Sequence, residues 1–295
     1  MKPHGRATFW LLALWLTLGA CTRGTEPPGE DQPVPRTTGY PADMVTVPAG
    51  PFVQGSDTVD KEGLAREFGG RRPWYLDEHP RRRVELPTFR IDRTEVSEAD
   101  YQKFVAAIPY PPPPHWKDET PTPDHPDLPV TRVSWMDAQN FCHWRSARLP
   151  TEAEWEKAAR GAAGWVYPWG NDFDPKRANT GQLGSLAPAG HFAESVSPYG
   201  ALDMAGNVWE WTASWYLPYP GNTTPFDDYG HRYKVVRGGS HGGQGHYRLE
   251  ELTSRASYRF YLDPREKQPD VGFRCVQRLG NDGQPVDDAE IALHQ

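Results

Sequence analysis

No long amphipathic run and no internal repeat passes through this chain. Glycine (28 residues), proline (31) and tryptophan (12) are all abundant. Much of the backbone must therefore lie in turns and irregular loops clamped by aromatic side chains. The regular elements that can be read are short. Ser97 and Asp100 form a helix-capping signature, followed by Tyr101, Phe104, Val105 and Ile108 at helical spacing. Ser134 and Asp137 cap a second helix whose inward face carries Ala138, Phe141 and Cys142. Thr151 and Glu154 make a T-x-x-E capping box ahead of a buried stripe of Trp155, Ala158 and Ala159, and Gly161 stops that helix. Strands are predicted over 44–47, 83–86, 89–91, 234–237 and 271–276. The expected class is α+β with little regular secondary structure.

The N-terminus reads as an export signal. Lys2 and Arg6 precede an apolar run from Phe9 to Ala20. It is shorter than the about 20 apolar residues a membrane span needs, and it has signal-peptide form. It ends Leu18-Gly19-Ala20-Cys21, which resembles a bacterial lipobox. Residues 1–20 are expected to be a signal peptide, with Cys21 as the lipidated first residue of the mature chain. The alternative is an ordinary secreted protein with an incidental cysteine. Several acyl chains hold a protein to a bilayer far more firmly than one, at roughly 0.8 kcal/mol per buried methylene. Thr22 is not aspartate, so the inner-membrane retention signal is missing. The expected location is the bacterial cell envelope, anchored in the outer membrane and facing either the periplasm or the surface. Residues 21–40 read as lipidated Cys21 plus a flexible linker, 41–279 as one large domain, and 280–295 as an acidic polar tail.

The formal net charge is −7, and losing Lys2 and Arg6 with the signal peptide makes the mature chain more acidic. No basic footprint for nucleic acid appears; Arg81-Arg82-Arg83 is a single local run. Beyond Cys21 the chain has two cysteines, Cys142 and Cys275. In an oxidising compartment they either pair or pack separately as small hydrophobes.

The richest motif is Asp203-Met204-Ala205-Gly206-Asn207-Val208-Trp209-Glu210-Trp211, with Arg237-Gly238-Gly239-Ser240 after it. Two carboxylates seven residues apart, with a glycine bend between them, supply hard oxygens of the kind calcium takes. The same pair can instead cap and pair locally. Further motifs flank it: Met44-Val45-Thr46-Val47-Pro48-Ala49-Gly50, Asp77-Glu78-His79-Pro80 and Arg93-Thr94-Glu95-Val96-Ser97 before it. Arg148-Leu149-Pro150-Thr151-Glu152-Ala153-Glu154-Trp155 and Tyr167-Pro168-Trp169-Gly170-Asn171 follow, and Val271-Gly272-Phe273-Arg274-Cys275 closes the set. In this order they resemble the formylglycine-generating enzyme family, also called sulfatase-modifying factors, across nearly the whole mature domain.

That resemblance implies a compact fold related to C-type lectins, with a small twisted sheet and much loop. It implies one structural Ca²⁺ held by Asp203, Gly206, Val208 and Glu210, with main-chain carbonyls from the middle two. A second calcium site of the family is incomplete: Asn179 and Thr180 match, but 181–186 lacks the acidic residue expected next. It also implies a Cys142–Cys275 disulfide tying the second helix to the last strand. Trp155, Trp169, Trp209 and Trp211 are expected as core aromatics.

The family's oxidases carry two copper-binding thiols at offsets that fall here on Gly243 and Arg248. Neither supplies the soft thiolate that copper(I) needs, so copper–thiolate oxidation is not expected. His241 and His246 share the spacing of the lost thiols, two residues earlier. They read either as a metal pair, with His231 as a spare ligand, or as surface histidines in a Gly-rich loop. Tyr247, Arg255, Tyr258 and Arg259 form a candidate pocket, since Arg and Tyr are favoured at recognition surfaces. The expected function is a lipid-anchored binding or accessory protein for a peptide, glycan or cell-envelope partner. The alternative is a divergent oxidoreductase using another cofactor, or acting on a small molecule or sulfatase-like peptide.

Overall fold

The computed structural model describes residues 34–37, 42–70, 72–116, 125–242, 247–280 and 282–286, with the side chains of Tyr247 and Arg248 left out. The expected signal peptide, Cys21, most of the expected linker and the tail beyond Val286 lie outside the described residues. In chain order the strands are β1 (Met44–Val47), β2 (Gly50–Gln54), β3 (Arg82–Leu86), β4 (Phe89–Asp92), β5 (Trp209–Trp215), β6 (Lys234–Arg237), β7 (Phe260–Leu262), β8 (Val271–Gly272) and β9 (Val276–Arg278). The helices are α1 (Leu64–Glu67), α2 (Glu98–Ala107), α3 (Trp135–Trp144), α4 (Glu152–Arg160) and α5 (Tyr247–Thr253). None of the helices is long and apolar enough to cross a membrane.

Capping chemistry places the three main helices as their spacing predicts. Ser97 Oγ accepts from the Asp100 N–H, and reciprocal capping boxes start α3 (Ser134 with Asp137) and α4 (Thr151 with Glu154). The helices bury their apolar faces on different sheets. Around α2 and α3 the rings of Tyr101, Phe104, Phe141 and Phe273 pile together with centroids 5.3–5.7 Å apart for the closest pairs. Trp155, Ala158 and Ala159 of α4 join Val45, Val47, Phe89, Ile91 and Val276 in a second cluster.

Three small sheets carry the rest. β1, β4 and β9 pair antiparallel, with Ile91 opposite both Val45 and Val276. β2 and β3 form a two-stranded antiparallel sheet joined by the long segment 55–81 that carries α1. The third sheet runs β7-β6-β5-β8, antiparallel except for the β5–β8 edge. The segment predicted as one strand over 271–276 is two, β8 and β9. Between them Phe273, Arg274 and Cys275 turn inward, all fully buried. A bond between the Cys142 and Cys275 sulfurs closes this region. Trp155 and Trp211 are fully buried and Trp209 nearly so. Trp169 departs from the core-aromatic reading: it is half-buried, stacked on Tyr167 at 5.5 Å, with its indole N–H donating to the Asp172 carbonyl.

Candidate functional site

The Asp203–Trp211 motif and the Arg-Gly-Gly-Ser motif meet in space. Gly206 has φ 76, and a Cβ there would stand 2.4 Å from the Asn179 carbonyl oxygen, so only glycine fits. Its N–H donates to the Gly238 carbonyl at 2.7 Å, and the Asn207 carbonyl accepts from the His241 N–H at 2.8 Å. Asp203 and Asn207 also take positive φ, 54 and 62, which Asp and Asn tolerate better than most side chains. The Asn207 amide is the hub of the turn. It donates to Glu95 Oε1 (2.9 Å) and the Ala187 carbonyl (3.2 Å), and accepts from the Ala187 N–H (3.0 Å) and Asn179 Nδ2 (3.2 Å).

Around this turn sit three buried carboxyls, Glu95, Asp203 and Glu210, beside the Arg274 guanidinium. Glu210 is matched: Arg274 Nη2 and Nε donate to its two oxygens at 2.6 Å each, and Trp155 Nε1 adds a third bond at 2.8 Å. The other two are not. Asp203 accepts from the Gly190 N–H at 2.5 Å and is near enough to Glu95 for each carboxyl to perturb the other. Glu95 Oε2 has no donor. Two buried carboxyls this close to one another are eased by a proton on one of them or by a cation nearby. Burial, reinforced by the Asp203 charge, pushes the Glu95 carboxyl well above the usual range. Burial raises Asp203 too, against the opposing pull of the Gly190 N–H and Arg274.

Of the four residues expected to ligate calcium, Asp203, Gly206 and Val208 share this turn, and Glu210 is the second residue of the strand that leaves it. Among the described residues no group of three or more His, Cys, Asp or Glu side chains is arranged for a metal ion. The arrangement is instead two excess carboxyls beside backbone carbonyls. Glu95 was not singled out from the sequence as a site residue. Nothing in the sequence marks it, because Asp92, Arg93, Thr94, Ser97 and Glu98 make the surrounding stretch as polar as Glu95 itself. Asn179 bridges the Ser185 carbonyl and Asn207 through Nδ2, while its Oδ1 is buried without a partner.

The loop after Ser240 is only partly described. His241 is half-buried, and its Nδ1 lies 2.9 Å from the Asn207 carbonyl, so Nδ1 carries the donated proton. His246 and Gly243 lie outside the described residues, as do the side chains of Tyr247 and Arg248. His231 sits edge-on to Trp215 at 5.6 Å.

The candidate pocket residues separate. Arg255 lines a cavity of about 230 Å³ with Glu62, Leu64, Trp74, Tyr75, Glu251 and Leu252. Its guanidinium covers the Tyr75 ring at 4.4 Å and pairs with Glu78. Arg259 corrects the expectation of a recognition group: it is buried, pairs with Glu152 at 2.7 Å, and donates to the Asp77 and Leu217 carbonyls. Tyr258 packs its ring on Trp209 at 6.0 Å, and its carbonyl accepts from Arg237. Trp74 and Tyr75, the aromatic wall of the cavity, carry no spacing pattern that would have marked them in the sequence.

Comparison with known proteins places this geometry. Residues 30–279 match the model of the sulfatase-modifying factor enzyme 1-like domain. The chain is 34% identical over 283 residues to a mouse protein called inactive C-alpha-formylglycine-generating enzyme 2, covering 80% of this chain and 86% of that one. It is 34% identical over 297 residues to a hercynine oxygenase of Mycolicibacterium smegmatis, covering 85% of this chain and 65% of the relative. Among solved structures, PvdO from Pseudomonas aeruginosa superposes with a TM-score of 0.62 at 25% identity, over 80% of this chain and 94% of that one.

Proposed function

We propose that this chain, which belongs to the sulfatase-modifying factor enzyme 1-like family and has its formylglycine-generating-enzyme fold, is a lipid-anchored binding or accessory protein of the bacterial cell envelope and not a copper–thiolate oxidase. One observation carries the reading. The positions that hold the family's copper thiols are Gly243 and Arg248, and the remaining thiols beyond Cys21, Cys142 and Cys275, are fully buried and bonded to each other. No thiolate is left to bind copper or to pass electrons to oxygen. The likeness to a relative described as inactive supports the same conclusion. The test is to incubate the purified chain, aerobically and with copper(I), with a peptide of the C-x-P-x-R type. Mass spectrometry is expected to find the peptide cysteine unchanged, and conversion to formylglycine would overturn the reading.

The cation is part of the same proposal. Calcium fits the turn because Glu95 Oε2 is an orphaned buried acceptor beside Asp203, and hard oxygens in excess of local positive charge are what Ca²⁺ takes. Asp203, Glu95 and the Gly206 and Val208 carbonyls would hold it, whereas both oxygens of Glu210, the fourth expected ligand, are already taken by Arg274 and Trp155. The ion would supply charge neutralisation and structural cross-linking. A second reading, a divergent oxidoreductase with another cofactor, draws on the likeness to a hercynine oxygenase. Metal analysis of the purified chain separates the two: calcium alone favours the binding protein, and stoichiometric copper, zinc or iron favours the oxidoreductase.

A further inference from the structure

We propose that the cavity of about 230 Å³ between α1, the Trp74–Tyr75 turn and α5 binds a neutral pyranose sugar. Trp74 and Tyr75 line it together with Leu64 and Leu252, and its polar lining includes Arg255 and Glu251. At roughly 30 Å³ per water, the space holds about eight waters, which is the bulk of one sugar ring.

The lining decides the charge of the ligand. Arg255 is buried, and both of its Nη atoms donate to Glu78, so the guanidinium brings no surplus positive charge for an anion. Its Nε is buried without a hydrogen-bond partner. What the residue still offers is one N–H donor, and a buried donor stays costly until an acceptor meets it. A cationic ligand would face the same guanidinium, which already covers the Tyr75 ring at 4.4 Å. An anionic ligand would face the Glu251 carboxylate. A neutral sugar escapes both conflicts. One hydroxyl oxygen accepts from Arg255 Nε, another hydroxyl donates to Glu251, and the C–H face of the ring packs on the aromatic wall, whose ring faces are electron-rich. Apolar walls with a few placed polar groups are the general form of a small-molecule site.

The walls are set before a ligand arrives. Trp74 stacks on Phe68 with ring centroids 5.6 Å apart. Asp60 accepts from the N–H groups of Leu64 and Ala65 at 2.8 and 3.0 Å, which fixes the start of α1. Tyr75 has φ 73, a conformation that a bulky side chain keeps only where its surroundings over-determine it. Here the Tyr75 carbonyl accepts from the Glu78 N–H at 3.0 Å, and Glu78 in turn holds Arg255 over the ring. On the α5 side the Tyr167 hydroxyl donates to the Glu251 carbonyl at 3.3 Å. A site built this way loses little conformational freedom on binding. The sugar site rests on the binding-protein reading, but each can fail alone: formylglycine formation overturns that reading, whereas an absence of sugar binding leaves it standing.

The test uses the full chain in a polyoxyethylene detergent, titrated with the methyl glycosides of glucose, galactose, mannose and N-acetylglucosamine. Tetramethylammonium chloride and sodium acetate serve as the cationic and anionic probes. Saturable saturation-transfer NMR signals on the ring C–H protons of at least one glycoside are expected. Trp74→Leu and, on the exposed rim, Glu251→Gln are each expected to weaken that binding by roughly tenfold while unfolding cooperatively like the parent chain. Should Trp74→Leu fail to fold, Glu251→Gln decides. No saturable transfer to any glycoside, or parent-like affinity in the folded variants, would overturn the proposal. So would tighter binding of tetramethylammonium or acetate than of every glycoside, which would assign the cavity to a charged ligand.

Discussion

Arg274 shows how much of this domain depends on single buried charges. Its guanidinium binds both Glu210 oxygens and also donates to the Asp92, Arg93 and Leu202 carbonyls. Replacing a buried pair with apolar groups can be neutral, but removing one partner strands the other, at about 3–5 kcal/mol. Arg274→Ala is expected to lose about that much in urea unfolding, and Arg274→Ala/Glu210→Gln to recover part of it; an unchanged midpoint in the single variant would refute the role. Lys234 is the opposite case, a buried cation without a carboxylate. Its Nζ donates to the Ala213 carbonyl at 2.6 Å and lies 3.7 Å from the Trp215 ring centre and 4.3 Å from that of Trp135. Burial pushes this ammonium down to about 7, against the attraction of the two indoles. Because the folded value is depressed, the unfolded chain binds more protons between about pH 7 and the ordinary lysine range near 10.5. Stability is therefore expected to rise with pH across that window. Denaturant midpoints at pH 7, 8, 9 and 10 should show the rise in the parent chain and a flatter profile in Lys234→Met. Neither residue was legible as special, because sequence does not say which charges end up dry.

Among the elements, helices were readable where capping is local. Ser97, Ser134 and Thr151 each sit three residues before the N–H they cap, so adjacent chain decides the helix start. Strand β5 was not read as a strand, although Trp209–Trp215 alternates apolar and polar residues; its polar positions Glu210 and Thr212 are buried as fully as its tryptophans, so both faces are covered. Its place in the middle of a sheet depends on β6 and β8, which come later in the chain. The predicted strand over 271–276 broke for a related reason: Arg274 and Cys275 serve Glu210 and Cys142, and those partners pull the backbone out of the ladder. The Cys142–Cys275 bond spans 133 residues, so cutting it frees a long loop in the unfolded chain. Loss of a native disulfide typically costs 2–5 kcal/mol. Cys142→Ala/Cys275→Ala is expected to lower stability by roughly that amount in chemical unfolding, and no change would mean the bond is not formed in the native protein.

At the scale of the whole molecule, the domain is several small sheets and short helices joined through buried polar contacts. A cation beside Glu95 and Asp203 would bind the 203–208 turn to the rest. Chelation with EDTA is expected to lower Tm, and calcium, but not magnesium, to restore it, since Mg²⁺ dehydrates reluctantly and demands a tighter octahedron. Glu95→Gln should be less responsive to both; a Tm indifferent to EDTA in the parent chain would retire the ion. The proposed anchor belongs to this scale too: if Cys21 is lipidated, Cys21→Ser moves the protein from the membrane to the soluble fraction on fractionation, and an unchanged distribution would refute it. By itself the sequence determined the family, the fold class, the starts of the main helices and the absence of thiols at Gly243 and Arg248. All of these follow from residue identities and short spacings along the chain. Only the tertiary structure decided that Glu95 lies near Asp203 and that Arg259 is a core ion-pair partner. Those outcomes depend on which distant groups share a buried space, and in that space an unmatched charge costs far more than it does in water.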